Sequence, residues 1–147
     1  MTFDLKLTRT LSRLALAAAL LVTAAACDNP VEDDHEEHPV GFVVLNAQGQ
    51  ELARFDGATV TGQLAVSRAT PAIFTVAAIG EDGDQITIDG VELGLQASVT
   101  AGGATAAVQQ QNQVLVTGTQ AGTGTLRITV LHGDHPEFAR DVVLVIT

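Results

Sequence analysis

Beyond residue 40, glycine-bearing and polar turns cut the chain into short runs rich in valine, threonine and isoleucine. None of these runs carries a sustained 3.6-residue apolar repeat. That punctuation disfavours a helical bundle, because β-branched side chains lose freedom in a helix and fit a pleated, half-buried surface. "TLRITVL" puts Leu126, Ile128 and Val130 on one face, and "DVVLVIT" does the same with Val142, Leu144 and Ile146. This is the period-two signature of a strand with one buried side. The continuous apolar run over residues 73–79 predicts a strand at the centre of a sandwich. "VGFVVL", the turn "NAQGQ" and "ELARF" predict an N-terminal hairpin, and "TGQLAVSR" alternates at Leu64 and Val66. "VELGLQA", "TAAVQQ" and "QVLVTG" are further short strands. The expected fold is all-β, an antiparallel sandwich over residues 41–147. That span is close to the roughly 100 residues of an immunoglobulin-type domain, and a chain of 147 residues leaves room for one domain.

The first 26 residues read as a processing signal. Lys6, Arg9 and Arg13 form a positive start, "LALAAALLV" is a short apolar run, and small residues follow up to Cys27. "AAAC" resembles a bacterial lipobox, which implies that Cys27 receives a thioether-linked lipid and begins the mature chain. Ala24 stands where that motif usually has leucine. Ala24 and Ala26 also suit ordinary signal peptidase, which would cut at the same bond. Either route exports the chain, and a lone thiol at the first mature position fits lipidation better than packing. Cys27 is the only cysteine, so no internal disulfide forms.

Residues 27–40 form an acidic, histidine-containing tether. Residues 28–39 hold six acids, two prolines and one apolar residue, too little to bury against the entropy of ordering them. Leaving out Asp4, Lys6, Arg9 and Arg13 reduces the 17 acids and 7 bases to sixteen acids against Arg54, Arg68, Arg127 and Arg140. The mature chain therefore carries a net charge of −12. Such a surface repels phosphate backbones and anionic lipid. Nucleic acid is excluded as a partner, and membrane attachment is expected through the lipid alone, facing the periplasm or the cell surface.

"SVTAGGATAAVQQQNQVLVTGTQAGTGTLRITVL", residues 98–131, followed by "VVLVIT", resembles the second half of a bacterial immunoglobulin-like domain of the group 2, intimin/invasin-like, family. Ala107-Val108, the run 114–118, Ala121-Gly122-Thr123 and the run 128–130 occupy the family's motif positions. "GQLAVSRATPAIFTVAA" fits the first half more loosely, and the family's tryptophan is absent. The resemblance implies a structural or adhesive module of the envelope with a protein partner there, not an enzyme.

The chain's four histidines fall in two pairs of equal spacing, His35/His38 in "HEEH" and His132/His135 in "HGDH". Imidazole suits Zn²⁺ or Cu²⁺, and four nitrogens complete a closed site. On a straight strand, positions i and i+3 face opposite ways, so the spacing is useful only where the backbone turns. Gly133 supplies that turn in "HGDH". In an immunoglobulin arrangement the last loop, "HGDHPEFAR", lies at the end where the first strand begins, so the two pairs can meet. Glu36, Glu37 and Asp134 would then orient the imidazoles through their second nitrogens. Against this stands the reading of both pairs as solvated surface histidines. Asp82, Asp84 and Asp89 in "EDGDQITID" offer oxygen ligands but lack the order of an EF-hand, and read as a charged hairpin turn.

Enzyme signatures are missing. The mature chain has two serines, Ser67 and Ser98, without a motif around either, and no phosphate-binding glycine loop. With no catalytic residues in view, the expected function is a non-enzymatic, lipid-anchored envelope protein with an immunoglobulin-like structural or binding module and no required cofactor. The alternative is a periplasmic or cell-surface protein that binds zinc or copper through the two histidine pairs.

Overall fold

The computed structural model describes residues 38–147. The signal-like segment, Cys27, His35, Glu36 and Glu37 lie outside the described residues. Within them the chain forms eleven strands and no helix. In order these are β1 Gly41–Leu45, β2 Glu51–Phe55, β3 Val60–Gly62, β4 Leu64–Val66, β5 Ala72–Ile79, β6 Gln85–Ile86, β7 Leu93–Ala101, β8 Ala104–Gln109, β9 Gln113–Gly118, β10 Gly122–His132 and β11 His135–Ile146.

The strands make two sheets. The larger runs β3-β2-β1-β5-β9-β8, with β6 also on β5, and the smaller runs β4-β11-β10-β7. Without β2, β3 and β6, the order β1-β5-β9-β8 lies opposite β4-β11-β10-β7. That is the two-sheet order of an immunoglobulin sandwich, with the first strand divided between the sheets. The division falls at β4, which pairs parallel with β11 through Leu64 and Leu144, while every other pairing is antiparallel.

The core lies between the inner faces. Leu126, Ile128 and Val130 of β10 and Val142, Leu144 and Ile146 of β11 meet Phe42, Val44, Phe74, Val76, Val114 and Val116 of the larger sheet. Each fully buried aliphatic or phenylalanine side chain contributes roughly 1.5–3 kcal/mol. No polar or charged residue is buried among the described residues, so no interior side chain needs a hydrogen-bond partner, and the ladders satisfy the buried backbone.

Two expectations are modified. The run 73–79 is not buried throughout: Ile73 is 47% exposed, and Phe74, Val76 and Ala78 alternate inward, because the outer face of this sheet meets solvent. The stretch 132–140 is not a loop. Strands β10 and β11 continue to a turn of only Gly133 and Asp134, because Phe138, Arg140 and Val142 carry the period-two pattern on toward the turn.

Candidate functional site

The β10–β11 hairpin supplies two of the three side chains that converge at one end of the sandwich. His132 lies opposite His135 in the ladder, with Gly133 and Asp134 between them. Gly133 has φ +56° and Asp134 has no positive φ, the pattern of a type II′ turn with glycine first. The Gly133 amide donates to the Glu92 carbonyl at 2.9 Å, pinning the tip of the hairpin to the start of β7.

The register then slips. Val130 pairs with Phe138, but Leu131 pairs with Pro136, so Glu137 is the extra residue of a β-bulge. In an unbroken strand Glu137 would take the face opposite Phe138. The bulge re-aims it, and its Oε1 lies 3.5 Å from His132 Nδ1. Both side chains are partly sheltered, with 29% exposure for His132 and 35% for Glu137.

The third side chain comes from the segment before β1. Pro39 is buried, and the Val40 amide donates to the Ile79 carbonyl at 2.7 Å. These neighbours fix the backbone beside His38, whose exposed ring stands 5.6 Å from that of His132 in an edge-to-face arrangement. His38, His132 and Glu137 each offer one ligand atom, and these atoms all lie within 4.8 Å of one another.

An aromatic cluster ties β1, β2 and β11 together beside the site. Phe42 of β1 stacks on Phe138 of β11 at 6.2 Å, and Phe55 of β2 stands 5.8 Å from Phe42 and 5.3 Å from Phe138. Aromatic pairs at such separations add about 0.5–1.5 kcal/mol each beyond their area. The Arg140 guanidinium caps Phe55 at 4.3 Å, a cation–π contact that lets a charged residue take an inward-phase position near the open end. Gly41 lets β1 approach β2 closely, since a Cβ there would collide with the Phe55 carbonyl oxygen.

The structure thus brings His38 to His132. His135 and Asp134 are exposed on the same hairpin and fall outside the three-residue group, and His35, Glu36 and Glu37 are outside the described residues. Sequence reasoning missed Glu137. Its signal was Pro136, a residue without an amide proton inside a strand pattern, which marks an edge or a bulge.

Among the other candidate groups, Asp82, Asp89 and Ser67 bond the local backbone. Asp82 Oδ1 accepts the Asp84 amide at 2.9 Å, and Asp89 Oδ1 accepts the amides of Val91, Glu92 and Leu93 at 2.8, 3.1 and 3.4 Å. The bond from Val91 is the main cause holding the Asp89 carboxyl below its ordinary value. Ser67 Oγ accepts the Ala69 amide in a local turn. A shallow cleft between β7 and β8 is lined by Leu95, Gln96, Ala97, Ser98, Val108 and Thr129, none of them ionisable.

All four arginines of the described residues are engaged. Arg54 pairs with Glu51 at 2.7 Å, and Arg127 holds Asp141 through two bonds of 2.8 and 3.0 Å. Arg140 donates to the Ala139 carbonyl, and Arg68 reaches the Thr147 carbonyl at 3.5 Å.

No family model matches the chain, and no curated protein matches it. Among solved structures it is similar to "Crystal structure of the S-layer protein SbsC domains 4 and 5", at 16% identity and a TM-score of 0.43, covering 72% of this chain and 75% of that one. A likeness of this size carries no function across.

Proposed function

We propose that the chain is an exported envelope protein, held to a membrane by lipid on Cys27, whose folded part is a non-enzymatic structural or binding module. The observation that carries this reading is the order of segments. A basic start and an apolar run end at the single cysteine, an acidic stretch follows, and the sandwich begins at Gly41. That order suits a domain displayed at a distance from a bilayer. Two features of the domain support it. Its interior is wholly apolar, so its polar chemistry is confined to the surface. Its four arginines are outnumbered by acids, and Arg54 and Arg127 are paired with carboxylates, which disfavours phosphate backbones as partners.

Mass spectrometry of the mature N-terminus, paired with fractionation of Cys27→Ala, tests the reading. The expected result is an acylated Cys27 in the membrane fraction and a soluble exported variant. A wild-type chain with a free Cys27 thiol would remove the lipid anchor from the proposal.

A further inference from the structure

The geometry points to a binding site for one divalent transition-metal ion, Zn²⁺ or Cu²⁺, formed by His38, His132 and Glu137. Three observations meet there. The donor set is two imidazoles and one carboxylate, which suits these ions and not Mg²⁺ or Ca²⁺, whose ligands are oxygens. The donors come from three separate places in the chain, the segment before β1, the end of β10 and the bulge of β11. None of the three side chains caps a turn among the described residues; they meet one another instead, His38 and His132 ring to ring at 5.6 Å and His132 and Glu137 at 3.5 Å.

The fit is close. Ligand atoms around a tetrahedral ion at about 2.0–2.1 Å stand roughly 3.3 Å apart. The three donors already lie within 4.8 Å of one another. The remaining closure falls on His38, which is exposed and can turn about its side-chain torsions, and on the flexible Glu137 side chain. His132 is the fixed member, because the Gly133 amide anchors its hairpin to Glu92. The bulge at Glu137 is a local irregularity, since the ladder resumes unbroken from Phe138 to Ile146. Three protein ligands leave one tetrahedral position for water or an external donor.

The bound ion ties the chain at His38, just before β1, to the last hairpin of the domain. The site goes beyond the envelope reading and does not depend on it. Acylation at Cys27 and metal binding are read by separate measurements, so either can fail alone.

The test is calorimetric titration of the full-length protein, purified without a histidine tag, with Zn²⁺ and with Cu²⁺. Wild type should bind one ion. His38→Ala and Glu137→Gln should each weaken binding by roughly tenfold or more, while His135→Ala and His35→Ala should leave it unchanged. Electron paramagnetic resonance of the Cu²⁺ form should show coupling to two nitrogens in wild type and to one in His38→Ala. Zinc should also slow protease cleavage of the residues before β1 in wild type and not in His38→Ala. Because His38 is exposed and precedes the first strand, an unchanged circular dichroism spectrum will show that its replacement leaves the fold intact. Equal binding by wild type and His38→Ala, or no binding at all, overturns the site. Loss of binding in His135→Ala or His35→Ala overturns this ligand set in favour of the four-histidine one.

Discussion

Two turns of this domain look alike in sequence and end in opposite states. "EDGD", between β5 and β6, and "HGDH", between β10 and β11, each place a glycine with positive φ beside an aspartate on an exposed hairpin. In the first, Asp82 gives its carboxylate to the Asp84 amide, and a few residues on Asp89 gives its carboxylate to three amides. Those oxygens stabilise the local backbone. In the second, the backbone is held by the ladder and by the bond from Gly133 to Glu92, so His132 and Glu137 remain available, and another segment brings His38 to them. A cluster of ligand-type residues becomes a site when the backbone is satisfied without them.

The strongest way to break the comparison is to remove the core beneath the second turn. Val130 is completely buried on β10. Val130→Asp should strand a charge among apolar side chains and cost several kcal/mol, against a total stability of about 5–15 kcal/mol. Urea denaturation should show a domain largely unfolded at 25 °C. An unchanged midpoint would mean that Val130 is not a core residue.

A smaller effect is expected at Phe138, which is partly exposed and packs on Phe42 and Phe55. Phe138→Ala should cost no more than the low end of the ~3–5 kcal/mol seen for buried phenylalanine. It should also loosen the link between β1 and β11. Zinc affinity should fall with stability, although no ligand has been touched. If affinity held while the melting temperature dropped, the aromatic cluster would not be what places His38.

The two glycines allow a matched test. At Gly133 and Gly83 an added Cβ meets nothing within 4 Å, so alanine at either position costs only the left-handed backbone, about 1–2 kcal/mol. Thermal melts of Gly133→Ala and Gly83→Ala should therefore be close to each other. Metal titration should separate them, with only Gly133→Ala altered.

The smallest effect concerns acid. Asp89 is held below its ordinary value chiefly by the Val91 amide, and Asp141 chiefly by its hydrogen bond from Arg127. A carboxyl depressed in the folded state contributes stability that is present above the ordinary carboxylate range and is lost as pH falls through the depressed value. Asp89→Asn should flatten the acid limb of a stability–pH curve slightly and leave metal binding alone. An identical acid limb in wild type and variant would mean that the Asp89 bonds have no effect on folding.

Much of the fold was legible in the sequence because the core strands obey period two. The alternation at Leu126, Ile128 and Val130, and at Val142, Leu144 and Ile146, places both strands on the correct face without reference to any partner. The hairpin β1–β2 and the charged turn after β5 were readable from their turn residues, "NAQGQ" and "EDGD". What escaped is partly tertiary in origin. The exposure of Ile73 depends on which face of its sheet meets solvent. The continuation of β11 through Phe138 and Arg140 follows the same period two as its core end, and Pro136 and the charged residues there masked it as a loop. Glu137 escaped as a candidate ligand because Pro136 signals only that an edge or a bulge is near, and which residue the bulge re-aims depends on the partner strand.

Strand β1 lies between β2 and β5, bonded to both, and the chain reaches it from the side on which a membrane tether is proposed. A pull along that tether would not peel an edge strand away bond by bond. It would load two ladders at once and divide the force among their hydrogen bonds, with the Phe42 side chain wedged into the core behind them. Resistance to forced unfolding is governed by the unfolding rate rather than by equilibrium stability. A domain gripped by an interior strand can therefore remain only moderately stable and still endure mechanical strain at its point of attachment.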